Sequence, residues 1–441
     1  MRKKKVGIGI LGIILILAVF FGYLSWRSEK DTPAAAVEEK EAKGEEKPFE
    51  GITLTILNHS SATPDGVFDK TCEAAEEKFG FDIEIESCSE DTIVKTRLAT
   101  GQCPDLLVYN TGSLLYSLHP EEFFMDLTDA PFVENLDEDF IQAASVDGVL
   151  YGIPQSDNMG CGVYYNKELY EKYGLQVPET WEEFKKNMDV LQRQGIAGLG
   201  IALRDLVSVQ LPFLADNYQV MEKNPEFARD YCDGTSTFAG TKEGLRSWER
   251  YEELIPYFNE DATSCSMKEL QKKLFGNQIG HMVYFTNLIP EWEEKYADAC
   301  EKIGFFALPG DEKEYTGMTV WPSNGIYGNK KSKNKEAIEA FMAWYISDEG
   351  MDVLTSFYQP AGIFHTGYQP REEQSQLVTE TRKYYQEGNV VSALEYLIPM
   401  KGINCQEICN KLGSGQITAK EAAEAYDEDC KKAALQCGLW S

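Results

Sequence analysis

The chain has 441 residues, 42 Lys and Arg against 72 Asp and Glu, a formal charge of −30 and 43% apolar content. That length exceeds one ordinary core and points to two lobes with additions. The acidity excludes nucleic acid as a partner, because a phosphate backbone would be repelled and not neutralised.

At the N-terminus Arg2-Lys3-Lys4-Lys5 precedes an uncharged apolar run from Val6 to Leu24. At about 1.5 Å per residue such a run covers roughly 28 Å, close to a bilayer core. Cleaved signals have apolar regions of about 7–15 residues. Two readings stay open: an uncleaved anchor over residues 1–24 with its lysines inside, or cleavage near Ala34-Ala35-Ala36; the length favours the anchor. Residues 25–50 are rich in Glu, Lys and Ala, cannot bury enough surface to order themselves, and read as a disordered tether.

From Gly51 the folded part begins with a strand at Ile52–Leu57. A helix over Phe68–Phe79 follows, then a strand at Phe81–Glu86 that alternates apolar and charged. Another helix spans Asp91–Thr100, and Cys103–Tyr109 is a short buried strand. Strand, helix, strand, helix, strand is the rhythm of a parallel sheet, whose ligands collect at the carboxyl ends of its strands. That places the Asn58-His59-Ser60-Ser61 and Tyr109-Asn110-Thr111-Gly112 loops at one mouth.

Tyr151-Gly-Ile-Pro154 is extended, and a strand then leads to Tyr165-Asn166-Lys167 and a helix over Lys167–Tyr173. Thr180 is an N-cap for Trp181–Gln192, with Glu183 placed to complete a capping box. Ile196–Ala202 reads as a strand, Gln210–Met221 as a helix, and Lys242–Leu254 and Lys268–Phe275 as further helices. Gly280–Phe285 and Ile303–Ala307 are buried strands. Helices at Lys335–Ile346 and Glu349–Phe357 follow, and the last hundred residues read as helical, ending in Thr418–Leu435.

Several marks occur in order at family-like spacing: Gly101-Gln-Cys-Pro104-Asp105, Tyr151-Gly-Ile-Pro154 with Tyr165-Asn166-Lys167, Pro178-Glu-Thr-Trp181, Phe275 to Gly280-His281-Met282, Gly304 to Pro309-Gly310, Ser332-Lys333-Asn334, and Leu412 to Ala423. Over roughly Gly51 to Glu428 the chain resembles the extracellular solute-binding proteins, ligand receptors of ABC importers, in the carbohydrate branch typified by maltose-binding protein (family 1). The resemblance implies an α/β, periplasmic-binding-protein-like fold of type II, with two discontinuous lobes joined by a hinge. Lobe 1 would be 51–155 with 322–367, and lobe 2 would be 156–317 with 368–441. It also implies a monomer at the extracellular face of the membrane that passes an extracellular mono- or oligosaccharide to permease subunits. Relatives often carry a lipid on a cysteine just after the apolar run; here the first cysteine is Cys72, which excludes that attachment. His281 stands where the family often has Ala. Asn287 and Leu288 stand where it often has Trp, with Tyr284 a candidate substitute.

A sugar presents axial hydrogens to aromatic faces and hydroxyls to planar polar partners. The expected ligand residues are therefore Tyr109, Asn110, Trp321, Tyr218, Asp157 and Asn58, while Asp105 reads as a cap on backbone amides. No Gly-x-Ser-x-Gly elbow, His-Glu-x-x-His or phosphate-cradling glycine loop occurs, so no catalytic residue and no cofactor is expected. Eleven cysteines without a Cys-x-x-Cys pair give zinc no support. Neither reading of the cysteines, buried thiols or a disulfide framework, is preferred. A tethered sensor and a receptor for a non-sugar solute stay open, and a glycan-active enzyme is the alternative of a different class.

Overall fold

The computed structural model describes residues 47–59, 63–362, 366–370, 374–436 and 438–439. The anchor, nearly all of the tether, Ser60-Ser61 and Cys437 lie outside the described residues.

The alternating Thr-Leu-Thr-Ile-Leu segment forms β1 (Thr53–Asn58), which pairs in parallel with β2 (Asp82–Ser87) and β3 (Leu106–Tyr109). Ile56 sits opposite Ile85 on one side and Leu106 on the other. A small hairpin of β4 (Ser145–Val146) and β5 (Val149–Leu150) precedes β6 (Gly152–Pro154). The chain then crosses into a second sheet: β7 (Met159–Asn166), β8 (Ala197–Gly200), β9 (Ile279–Phe285), β10 (Ile303–Phe306) and β11 (Met318–Trp321). It returns to the first sheet as β12 (Gly325–Gly328) and ends its strands in the second as β13 (Val390–Ser392). The orders are β2-β1-β3-β12-β6 and β13-β11-β7-β9-β8, with β10 also paired to β7. Each sheet is the floor of one lobe.

The two strand crossings run side by side. The Gln155 amide donates to the Asn324 carbonyl at 2.9 Å, and the Ser156 amide to the Ser323 hydroxyl at 2.9 Å. Helices cover both faces of each sheet. Lobe 1 buries Phe68, Phe341 and Tyr345 on one face, and Leu98, Leu115 and Tyr109 on the other. Lobe 2 buries Trp292 and Phe305 on one face, and Trp181, Phe184 and Met188 on the other.

The Pro-x-Thr-Trp segment shows why lobe 2 is well tied. The Thr180 hydroxyl accepts the Glu183 amide at 3.4 Å, but the Glu183 carboxylate takes the Glu179 amide, at 2.9 Å, so the expected box does not close on Thr180. A complete capping box stands at Ser266 and Glu269. Trp181 is fully buried and its indole N–H donates to Glu253 at 2.7 Å. Glu253 also meets Arg246 at 2.6 Å, Arg246 meets Asp311 at 3.0 Å, and Arg250 bonds Asp311 at 2.8 Å and Asp216 at 2.7 and 3.0 Å. Burial pushes the Glu253 carboxyl up, but Arg246, the Trp181 indole and Lys185 outweigh it and bring it down to about 2.

Three expectations change. The helix read over Gln210–Met221 is two, Leu211–Leu214 and Asn217–Lys223; the break falls at Asp216, whose carboxylate goes to Arg250. The last hundred residues are not all helical, because Val390–Ser392 completes the edge of the second sheet beside β11. A helix at Leu288–Lys295 was not foreseen. The described cysteines are free thiols; Cys405 and Cys409 approach to 4.0 Å between sulfurs, far beyond a bond of about 2.05 Å.

Candidate ligand-binding site

The carboxyl ends of β1 and β3 face lobe 2, and a cavity of about 390 Å³ lies there. Lobe 1 contributes Thr63, Pro64, Asp65 and Asn110; lobe 2 contributes Met159, Thr286, Asn287 and, from the Leu288–Lys295 helix, Pro290, Glu291, Glu294 and Lys295. Asp157 and Asn324 from the crossings, with Tyr358 and Ala361, close the hinge side. A larger groove of about 1160 Å³ between Asp126–Asn135 and Glu339–Glu349 draws on no strand end and on no residue of the second sheet. The smaller cavity, lined from both sheets at their strand ends, is therefore the candidate.

Asn110 is on the wall, half-buried, and its main-chain carbonyl accepts the Tyr327 hydroxyl at 3.1 Å. Asp157 is also on the wall, with both oxygens engaged: one takes the Tyr358 hydroxyl at 3.0 Å, the other the Gly362 amide at 2.7 Å. Burial raises its carboxyl above the usual range; the Gly362 amide, the Tyr358 hydroxyl and Arg382 work against that rise. Among the described residues the side chains of Asp65, Asn110, Asn287 and Glu294 have no ion-pair or hydrogen-bond partner, whereas Glu291 meets Lys295 at 3.4 Å.

The other expected residues are not among those that line the cavity. Tyr109 is fully buried, its hydroxyl donating to Asp91 at 2.9 Å and its ring edge-on to His59 at 4.9 Å; burial pushes that hydroxyl's pKa up. Successive side chains of a strand point to opposite faces, so Asn110 meets the cavity as Tyr109 meets the core. Asn58 ends β1 half-buried, and its side-chain oxygen has no hydrogen-bond partner among the described residues. Trp321 is 4% exposed and donates to Glu395 at 3.0 Å, with Phe285 against it at 4.8 Å. It pairs across the β11–β7 ladder with Met159, so its side chain lies on the same face of the sheet as that wall residue and beside it. Tyr218 is 3% exposed beneath Gly317, where a Cβ would lie 2.1 Å from its ring. His281 is an interior residue: fully buried, it contacts the Tyr170 hydroxyl at 2.7 Å and the Gly198 carbonyl at 2.6 Å. The carbonyl can only accept, so that ring nitrogen carries the proton and the other accepts from Tyr170. Burial lowers its pKa to about 4.

Met159, Asn287, Glu291, Glu294 and Tyr358 were not foreseen in the wall. For the three on or beside the Leu288–Lys295 helix a signal existed: Leu288, Ile289 and Trp292 recur at helical spacing and are buried.

A two-lobed body whose cavity draws on both lobes and two crossing strands narrows the candidates to hinged receptors. The model of the bacterial extracellular solute-binding proteins matches residues 60–352, well over half of the chain. The chain belongs to that family. It is 29% identical over 102 residues to the multiple sugar-binding protein of Streptococcus mutans, a match spanning 23% of this chain and 24% of that protein. It is 22% identical to an ABC transporter extracellular-binding protein of Pyrococcus horikoshii over 78% of each. A solved chitin oligosaccharide binding protein superimposes with a TM-score of 0.71 at 19% identity, covering 87% of this chain and 99% of that one. The two-lobed type II fold expected from the sequence is therefore present, and the family's members capture solutes outside the cell.

Proposed function

We propose that this solute-binding protein captures an extracellular carbohydrate between its lobes and presents it to an ABC importer, without chemistry on the ligand. The observation that carries the reading is the wall itself. Amides at Asn110 and Asn287 and carboxylates at Asp65 and Glu294, unengaged among the described residues, line one cavity from the two lobes together with Tyr358 and Met159. Planar polar groups suit hydroxyls and the ring suits a sugar face. The names of the Streptococcus mutans and chitin oligosaccharide relatives support the carbohydrate class, and that of the Pyrococcus relative supports the importer.

In this proposal Asn110, Asp157, Asn287 and Tyr358 contact ligand, and Trp321, Tyr218, Tyr109 and Asn58 back them. The lobe boundaries at 155–156, 317–322 and 367–368, the monomeric state and an uncleaved N-terminal anchor belong to the same proposal. A thermal-shift screen over mono- to tetrasaccharides, with amines, organic acids and peptides as controls, tests it. A saccharide is expected to raise the melting temperature; a shift by a control class alone overturns the carbohydrate assignment.

A further inference from the structure

Gly112 lies in the loop after β3, on lobe 1, with φ 64° and ψ −138°, and its amide donates to the Ala143 carbonyl at 2.7 Å. A Cβ built there would lie 2.8 Å from the Glu395 carbonyl oxygen, 2.9 Å from a Tyr396 ring carbon and 3.1 Å from the Tyr396 Cα. Those atoms belong to lobe 2, on the Leu394–Leu397 helix that follows β13. The helix is fixed to its own lobe. The Ala393 amide donates to the Val320 carbonyl at 2.8 Å, the Glu395 carboxylate takes the Trp321 indole at 3.0 Å, and Lys401 holds the other Glu395 oxygen at 2.6 Å. On the lobe 1 side the Glu138–Ala143 helix packs against the same element. Backbone therefore meets backbone across the lobes, with no flexible side-chain end to give way.

We propose that Gly112 is the residue that permits closure. Its missing side chain, with a backbone at φ 64° that L residues rarely adopt, lets the β3 loop seat directly on the Leu394–Leu397 helix, and a side chain at this position meets that helix or strains the loop off it. The idea rests on the receptor reading, since closure matters to a protein that encloses its ligand. A ligand stabilises only the state in which it makes its contacts, so a reduced closed population lowers apparent affinity by the same factor.

The test uses the full chain without any ligand, so it stands or falls apart from the carbohydrate assignment. Cysteines replacing Asp65 and Glu294, on opposite walls of the cavity, are bridged by a short bis-maleimide, and the 65–294 crosslink is quantified by peptide mass spectrometry. Gly112→Ala is expected to slow that crosslink about tenfold. Thr111→Ala serves as the control, because it removes the hydroxyl bond to the Ser323 carbonyl, 3.1 Å long, from the same loop without adding bulk toward lobe 2. It is expected to leave the rate unchanged. An unchanged rate in Gly112→Ala overturns the proposal. Equal slowing by Thr111→Ala overturns it too, because loop integrity and not bulk would then be the cause.

Discussion

Two acidic regions of lobe 2 use their carboxylates in opposite ways. Beneath Trp181, Asp216, Asp311 and Glu253 each meet a guanidinium, and Arg250 and Asp216 are 3% and 0% exposed at the side chain. At the cavity, among the described residues, Glu294 and, across the lobes, Asp65 have no cation, and the side-chain amides of Asn110 and Asn287 are equally unengaged. Charge in the first region is consumed internally and ties four segments of one lobe together. Polar capacity in the second is left over, in a cavity that both sheets' strand ends and crossings line. A partnered carboxylate therefore reports on stability, and an unpartnered polar wall reports on binding.

The sharpest break between the two is Arg250→Ala. Removing one partner strands buried charge on Asp216, which costs about 3–5 kcal/mol. Urea unfolding should show that loss, while the folded fraction keeps its ligand affinity. Next comes acid. His281 sits at about 4 in the folded chain against 6.5 unfolded, so the unfolded state takes up the proton first and stability falls as pH drops through that window. Between pH 7 and pH 5 the loss is about 2 kcal/mol, and His281→Gln should flatten that part of the curve. Affinity, set by the cavity, should not follow the same slope.

A smaller effect, of the other kind, is expected from Asn110→Ala or Asn287→Ala. Each removes one hydrogen-bonding amide from the wall, costing affinity about three- to tenfold with the melting temperature nearly unchanged. Calorimetric titration beside a melting curve separates the two quantities. Smallest is Tyr109→Phe, which deletes only the bond to Asp91: about 1 kcal/mol of stability and no affinity.

The fold was legible where local signals agreed. The strand around Ile56 and the Trp181–Gln192 helix stand within a residue or two of where alternation and the Thr180 cap put them. What failed involved partners distant in the chain: the break falls at Asp216, whose carboxylate bonds Arg250, and β13 pairs with the edge that β11 offers. The wall of the candidate cavity was half legible. Chain position led to Asn110 and Asp157, at a strand end and a crossing. Side-chain chemistry led to Tyr109 and Tyr218, which resemble sugar platforms in type, but which face of an element an aromatic occupies depends on packing. The Leu288–Lys295 helix was hidden by Pro290 near its start, a residue that also marks turns.

The central claim, that a saccharide binds between the lobes against these unengaged amides, is tested most directly by one titration. The saccharide giving the largest thermal shift is titrated calorimetrically into wild type and into Asn110→Ala/Asn287→Ala. The account predicts that the double variant melts close to wild type and binds at least about tenfold more weakly, roughly 1.4 kcal/mol. Wild-type affinity in the double variant would contradict it and move the site off this wall.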